Sequence, residues 1–171
     1  MQSAAAATPW VRLATAADAA VIGSMLDDFN REYDDPTPGG AALARRLGTL
    51  MTAGDTVVLL GGWATEDADP QADGLAVLRF RPSLWSEADE CYLAELYVRP
   101  PRRGRGLGRV IMREAMATAR RRGADYMDLG TAETDLAARG LYESLGFSRT
   151  EGRPDGPLNY YYERDLTDLP D

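Results

Sequence analysis

The chain has 171 residues, 44% of them apolar and 27% charged, and a formal net charge of -8. That composition predicts a globular protein of one domain, residues 1–171 with a core at about 9–167. The acidic excess argues against nucleic-acid binding and against anionic membranes, and favours a cationic partner.

The absences narrow the chemistry. No histidine occurs, and all 19 basic residues are arginine. Histidine-dependent triads, histidine metal ligation, a Walker-type lysine loop and Schiff-base catalysis are therefore excluded, and no metal is expected. The single Cys91 cannot make an internal disulfide, suits a reducing, cytoplasmic setting, and reads as a core residue because nothing offers it a basic partner. Met1–Ala7 is too short and too weakly apolar for a signal peptide, and no run is long enough to cross a membrane. Proton transfer is left to carboxylates, tyrosines, Cys91 or water.

Trp10–Leu13 predicts a short first strand. Thr15 then caps a helix to about Asn30, with Ala19, Ile22, Met25, Leu26 and Phe29 on one face. The segment 32–40 holds two prolines and two glycines, which break the helix; its acids make it either a solvated connector or an acidic lip over a substrate. A helix over about Ala41–Met51 follows. Asp55–Trp63 and Gly74–Arg81 form an antiparallel hairpin joined by a polar loop at Glu66–Asp73, and Cys91–Val98 is the next strand. Leu107, Ile111, Met112, Ala115, Met116 and Ala119 recur at helical spacing, with Gly123 as the stop after three arginines that read as a solvated cap. Asp125–Leu129 is a strand, and Thr134 or Asp135 caps a helix that ends at Gly146. Phe147 begins another strand, and Asn159–Leu166 is the last. The order β-α-α-β-β-β-α-β-α-β-β implies an α/β (α+β) fold, with one mixed, mostly antiparallel sheet of about seven strands flanked by about four helices.

Arg99–Arg109 stands out. Nine arginines lie between Arg99 and Arg122 in an otherwise acidic chain, and Gly104, Gly106 and Gly108 alternate with Arg103, Arg105, Leu107 and Arg109 where a strand gives way to a helix. Glycines there let backbone N–H groups approach a ligand, and a helix N-terminus favours an anion. A diphosphate cradle follows. A dinucleotide-binding turn fits poorly: Gly104 and Gly106 supply two positions of its fingerprint, but Arg109 stands at the third, although Asp128 lies near the spacing of a ribose-binding acid.

Arg103-Gly104-Arg105-Gly106-Leu107-Gly108 fits R-x-x-G-x-G, and Ala138-Arg139-Gly140-Leu141-Tyr142-Glu143-Ser144-Leu145-Gly146-Phe147 follows downstream. Together, and in this element order over nearly the whole chain, they resemble the GNAT superfamily of N-acetyltransferases. The resemblance implies acetyl-CoA as co-substrate and a sheet splayed between strands 4 and 5. It implies cofactor contacts from Leu96, Tyr97, Val98, Arg103, Gly104, Arg105, Gly106, Leu107, Gly108, Arg109, Asp135 and Tyr142. Asp135 departs from the family pattern, which usually has asparagine there. Tyr142 matches the tyrosine that protonates the departing thiol. Glu95 is the leading base, with a role in binding a cationic acceptor or capping the sheet edge as its alternative; Glu90 is the second candidate base. Glu32, Tyr33, Asp34, Asp35 and Glu90 are acceptor-side candidates. The expected activity is acetyl transfer to a primary amine of a small cationic molecule by direct attack in a ternary complex. The alternatives are a peptide or protein amine as acceptor, or a non-catalytic acyl-CoA-binding or regulatory module. No nucleic-acid or membrane partner is expected, and a homodimer is compatible with the pattern.

Overall fold

The computed structural model describes residues 7–64 and 71–167. Residues 1–6, 65–70 and 168–171 lie outside the described residues, and with them most of the Met1–Ala7 stretch read as too weakly apolar for a signal peptide and of the expected Glu66–Asp73 loop. The chain divides into two compact units, Met1–Leu129 and Gly130–Asp171.

The first unit runs β1 (Thr8–Leu13), a 3₁₀ turn (Ala16–Asp18), α1 (Ala19–Glu32), α2 (Gly40–Ala53), β2 (Thr56–Ala64), β3 (Gly74–Pro82), β4 (Asp89–Val98), a 3₁₀ turn (Pro100–Arg102), α3 (Leu107–Arg121) and β5 (Ala124–Leu129). Its sheet has the order β1-β2-β3-β4-β5, antiparallel through β4 and parallel between β4 and β5. Thr15 caps the 3₁₀ turn rather than α1 itself: its N–H donates to Asp18 Oδ2 at 2.7 Å, and Asp18 also takes Arg12 at 2.7 and 2.8 Å.

β2 and β3 are apolar along nearly their whole length because both faces of the sheet are covered. Val58, Leu60, Leu75, Val77 and Tyr97 pack with Ile22, Met25, Leu26 and Leu47 of α1 and α2. The alternate residues face α3. Gly61 and Gly74, opposite one another in the ladder, leave the hollow that receives Ile111: a Cβ at Gly61 would lie 2.8 Å from Ile111 Cγ1, and one at Gly74 2.8 Å from its Cδ1. These two glycines let the start of α3 lie close on the sheet, which places the turn before it.

Arg122 is not only solvated. It donates to the Gly54 carbonyl beyond α2 at 2.6 Å and lies 4.6 Å over the Phe80 ring.

The second unit holds α4 (Leu136–Ser144), capped by Asp135, whose Oδ1 accepts from the Ala138 N–H at 2.9 Å. Gly146, at φ +92°, closes it, and the Phe147 N–H returns to the Tyr142 carbonyl at 3.1 Å. The expected strands from Phe147 and over Asn159–Leu166 do not form, so the sheet has five strands among the described residues and not about seven. What remains of them is a bridge between Thr150 and Leu158, flanked by Glu151 N–H to Pro157 O and Asn159 N–H to Arg149 O. Pro154, Gly156 and Pro157 interrupt the ribbon, proline removes ladder donors, and a two-stranded ribbon this short has little stability of its own. Tyr160, Tyr161 and Tyr162 are accordingly 71–86% exposed.

Candidate active site

β4 is built in two registers. Leu78 pairs with Leu93 but Val77 pairs with Glu95, so Ala94 is an inserted residue, a β-bulge. The insertion turns the odd-numbered residues over. Cys91 and Leu93 lie opposite Phe80 and Leu78 on the α3 face, whereas Glu95 and Tyr97 lie opposite Val77 and Leu75 on the α1–α2 face. Without the bulge Glu95 would point into the packing under α3. The parallel pairing with β5 ends at Leu93–Leu129 while pairing with β3 runs on to Val98, so Ala94–Val98 has no strand partner on the β5 side among the described residues. The expected feature is a sheet splayed between strands 4 and 5; what the ladder gives is that their pairing stops at Leu93–Leu129, where β5 itself ends.

The two candidate bases differ in surroundings. Burial alone raises the Glu95 pKa above the ordinary glutamate range. Glu90 accepts from Arg81 at 2.8 Å and Ser83 at 3.2 Å, and the Arg81 hydrogen bond holds its carboxyl below that range. Burial pushes the Cys91 thiol up to about 11, so it stays protonated near neutrality, as its core position requires.

Beyond β4, the chain turns through Pro100–Arg102 and reaches α3 through Gly104 at φ +73° and Gly106 at φ +88°. Both lie in the left-handed region, and a Cβ on either would meet nothing within 4 Å, so the space over the turn is open to a ligand. Helix geometry leaves first-turn N–H groups of α3 without intrahelical acceptors at the positive end of its dipole. No acidic side chain lies in that first turn.

The arginines here are largely committed to the protein. Arg99 pairs with Asp28 at 2.9 Å and Arg102 with Asp73 at 3.2 Å. Arg103 grips both oxygens of Glu32, at 2.5 and 2.7 Å, and donates through Nε to the Val98 carbonyl at 2.7 Å. Arg105 lies 4.8 Å over the Trp63 ring. Glu32, expected in an acidic loop, is thus the last residue of α1 and neutralises a residue of the anion turn. Asp34 takes φ +56°, and the Asp34 and Asp35 N–H groups fold back on the Arg31 and Asn30 carbonyls. The 33–39 segment is further tied to α1 by Thr37 Oγ1 to Asp27 at 2.7 Å and Asn30 to the Pro36 carbonyl at 2.9 Å. Tyr33 is half exposed and meets Phe29 edge-on at 5.3 Å.

Of the expected cofactor residues, Tyr97 has its side chain buried in the core, and Leu96 and Val98 face α3, so all three can offer only backbone. Leu107 is buried, and Asp135 is engaged in capping α4. In the second unit, Tyr142 is buried with its ring 6.0 Å from Phe147. Sequence reasoning missed Asp28, Asp73, Trp63 and the Ala94 bulge. Asp28 and Glu32 could have been noticed, since their spacing puts them on one face of α1; no local signal marks the others.

The five-stranded sheet parting after Leu93, with a glycine turn opening onto a helix, is the architecture of an acyl-group transferase of the GNAT type. Residues 27–147 match the model of the acetyltransferase (GNAT) family. The chain belongs to that family. It is similar to a solved acetyltransferase structure of unstated substrate from Arthrobacter sp. FB24, 42% identical, covering 97% of this chain and 100% of that one at a TM-score of 0.79. It is also 33% identical to a mycothiol acetyltransferase of Thermobispora bispora over 72% of this chain, and 29% identical to the streptothricin acetyltransferase of Streptomyces lavendulae over 77% of it. The chain spans 36% and 59% of the length of those two relatives. Among the described residues, no helix is long and apolar enough to cross a membrane.

Proposed function

We propose that this protein transfers an acetyl group from acetyl-CoA to a primary amine of a small cationic molecule, by direct attack within a ternary complex. The observation that carries this reading is Glu95: a carboxyl turned off the α3 face by a β-bulge, where β4 has just lost its β5 partner, with its pKa raised by burial. Such a group accepts the proton of an incoming ammonium, directly or through one water, nearer to neutral pH than a solvated glutamate does. The open turn at Gly104 and Gly106 and the first N–H groups of α3 suit the diphosphate of the co-substrate. The stretch Ala94–Val98, without a strand partner on the β5 side among the described residues, suits an extended arm lying along β4, with a backbone N–H there stabilising charge on the thioester oxygen. The family motif assigns the Tyr142 hydroxyl to the departing thiolate.

Small-molecule acceptors are favoured by the two named relatives, a mycothiol acetyltransferase and a streptothricin acetyltransferase, and a cationic one by the chain's net charge of -8. A panel of polyamines, aminoglycosides, amino-acid derivatives and peptides, assayed with acetyl-CoA by detection of released thiol, tests the reading. Turnover with a cationic small amine that falls at least about tenfold in Tyr142→Phe is expected. CoA binding without turnover across the panel would instead favour a non-catalytic module.

A further inference from the structure

All three nitrogens of the Arg103 guanidinium are engaged within the first unit. Nε donates to the Val98 carbonyl at the end of β4, and the two terminal nitrogens hold the two oxygens of Glu32 at the end of α1. The Tyr97 ring lies 5.6 Å from the same guanidinium, stacks on Phe29 at 5.2 Å, and Phe29 in turn meets Tyr33. One turn earlier on α1, Asp28 takes Arg99 at 2.9 Å. Asp28 and Glu32 put negative charge where the α1 dipole is already negative, which by itself would fray that turn. Two arginines from the far end of β4 offset it. A bidentate arginine–carboxylate pair is among the stronger and more directional polar contacts. Three of the five guanidinium N–H donors are taken, so a diphosphate approaching the outer two would meet a charge that Glu32 already offsets.

We propose that Arg103 is a positioning residue, whose side chain fixes the last turn of α1 and the Tyr33–Gly39 segment against the end of β4, while the diphosphate is met by the backbone of the turn that follows. This rests on the proposed activity, with the turn as the cofactor's site and the 33–39 segment as the acceptor's. It makes the two substrate sites one mechanical piece, joined through a single ion pair 71 residues apart in sequence.

The test combines Arg103→Met, which keeps the apolar stem on Tyr97, with Glu32→Gln, the double variant and the charge swap Arg103→Glu/Glu32→Arg. Calorimetry measures CoA binding, and steady-state kinetics with the amine found in the panel separates KM from kcat. The expected result is CoA affinity within about threefold of wild type in both single variants, acceptor KM raised about tenfold in each and no further in the double, and partial recovery in the swap. A tenfold or greater loss of CoA affinity in Arg103→Met, or tighter CoA binding in Glu32→Gln, would make Arg103 a diphosphate ligand and overturn the inference. Wild-type protein that bound no CoA would sink the proposed activity itself, a result distinct from loss in the variant alone.

Discussion

Glu95→Gln keeps the side chain's shape and removes only its ability to ionise. Loss of a positioned general base costs about 10²–10⁴ in kcat/KM, or about 2.7–5.4 kcal/mol of transition-state stabilisation at roughly 1.36 kcal/mol per tenfold. The assay is thiol release from acetyl-CoA with a saturable amine, run from about pH 5 to pH 9, alongside thermal melts. A base must be ionised, so kcat/KM falls as pH drops through the Glu95 pKa, and burial places that acid limb above the range of a solvated glutamate. The variant should lose the limb. Stability runs the other way. A carboxyl whose folded pKa is raised favours the fold below its unfolded pKa and loses that advantage as pH rises through the folded value. Wild type therefore bears a burial cost at pH 7 that the glutamine variant lacks, so the variant should melt at or above wild type there and converge with it below about pH 4. A slow variant that is no less stable marks a charge kept for chemistry rather than for folding. Activity within threefold of wild type with the acid limb intact would refute the reasoning, as would a lower melting temperature at pH 7.

Glu90→Gln removes one partner of the pair with Arg81 at the sheet edge and should leave the melting temperature close to that of wild type. It should leave the acid limb in place, and a displaced limb would move the base to Glu90. Gly106→Val puts a branched side chain at φ +88°, where a left-handed non-glycine residue costs roughly 1–2 kcal/mol. Calorimetry should show CoA affinity down at least tenfold with the circular dichroism spectrum retained; unchanged affinity would separate this turn from anion binding. Gly74→Val drives a side chain onto Ile111 Cδ1 and the Tyr97 carbonyl and should cost about 1–3 kcal/mol in urea unfolding, with weaker CoA binding because α3 is lifted at its start. Asp18→Asn removes a carboxylate that its hydrogen bond from Arg12 holds well below the usual range. A depressed acid stabilises above its unfolded pKa and loses that contribution as pH falls. The variant should therefore lose about 0.5–2 kcal/mol at pH 7 and less at pH 2, and an equal loss at both pH values would place the effect outside the ion pair.

Much of this protein is written in local signals. The chain order of the first nine helices and strands follows from apolar period and from breakers. Gly123 and Gly146 end helices at φ near +90°, and Asp135 caps α4 as its side-chain chemistry predicts. The glycine turn before α3 and the Tyr142 segment carry the family in the order of their residues. Each of these depends on neighbours within one turn or one strand, which a linear reading can weigh. The two strands expected after Phe147 failed because alternation and tyrosine content measure willingness to pair, not the presence of a partner, and prolines break the ribbon that would have supplied one. The Ala94 bulge, which decides the face that Glu95 occupies, depends on how β4 registers against β3; composition carries no mark of a one-residue insertion. The engagement of Arg103 by Glu32 joins residues far apart in sequence, and only the docking of α1 beside the end of β4 brings them together. The residues alone therefore determined that a cationic, glycine-bearing turn opens a helix here. Tertiary structure decided which of its charges face outward and which are consumed in holding the fold, because charge pairing acts through space and not along the chain.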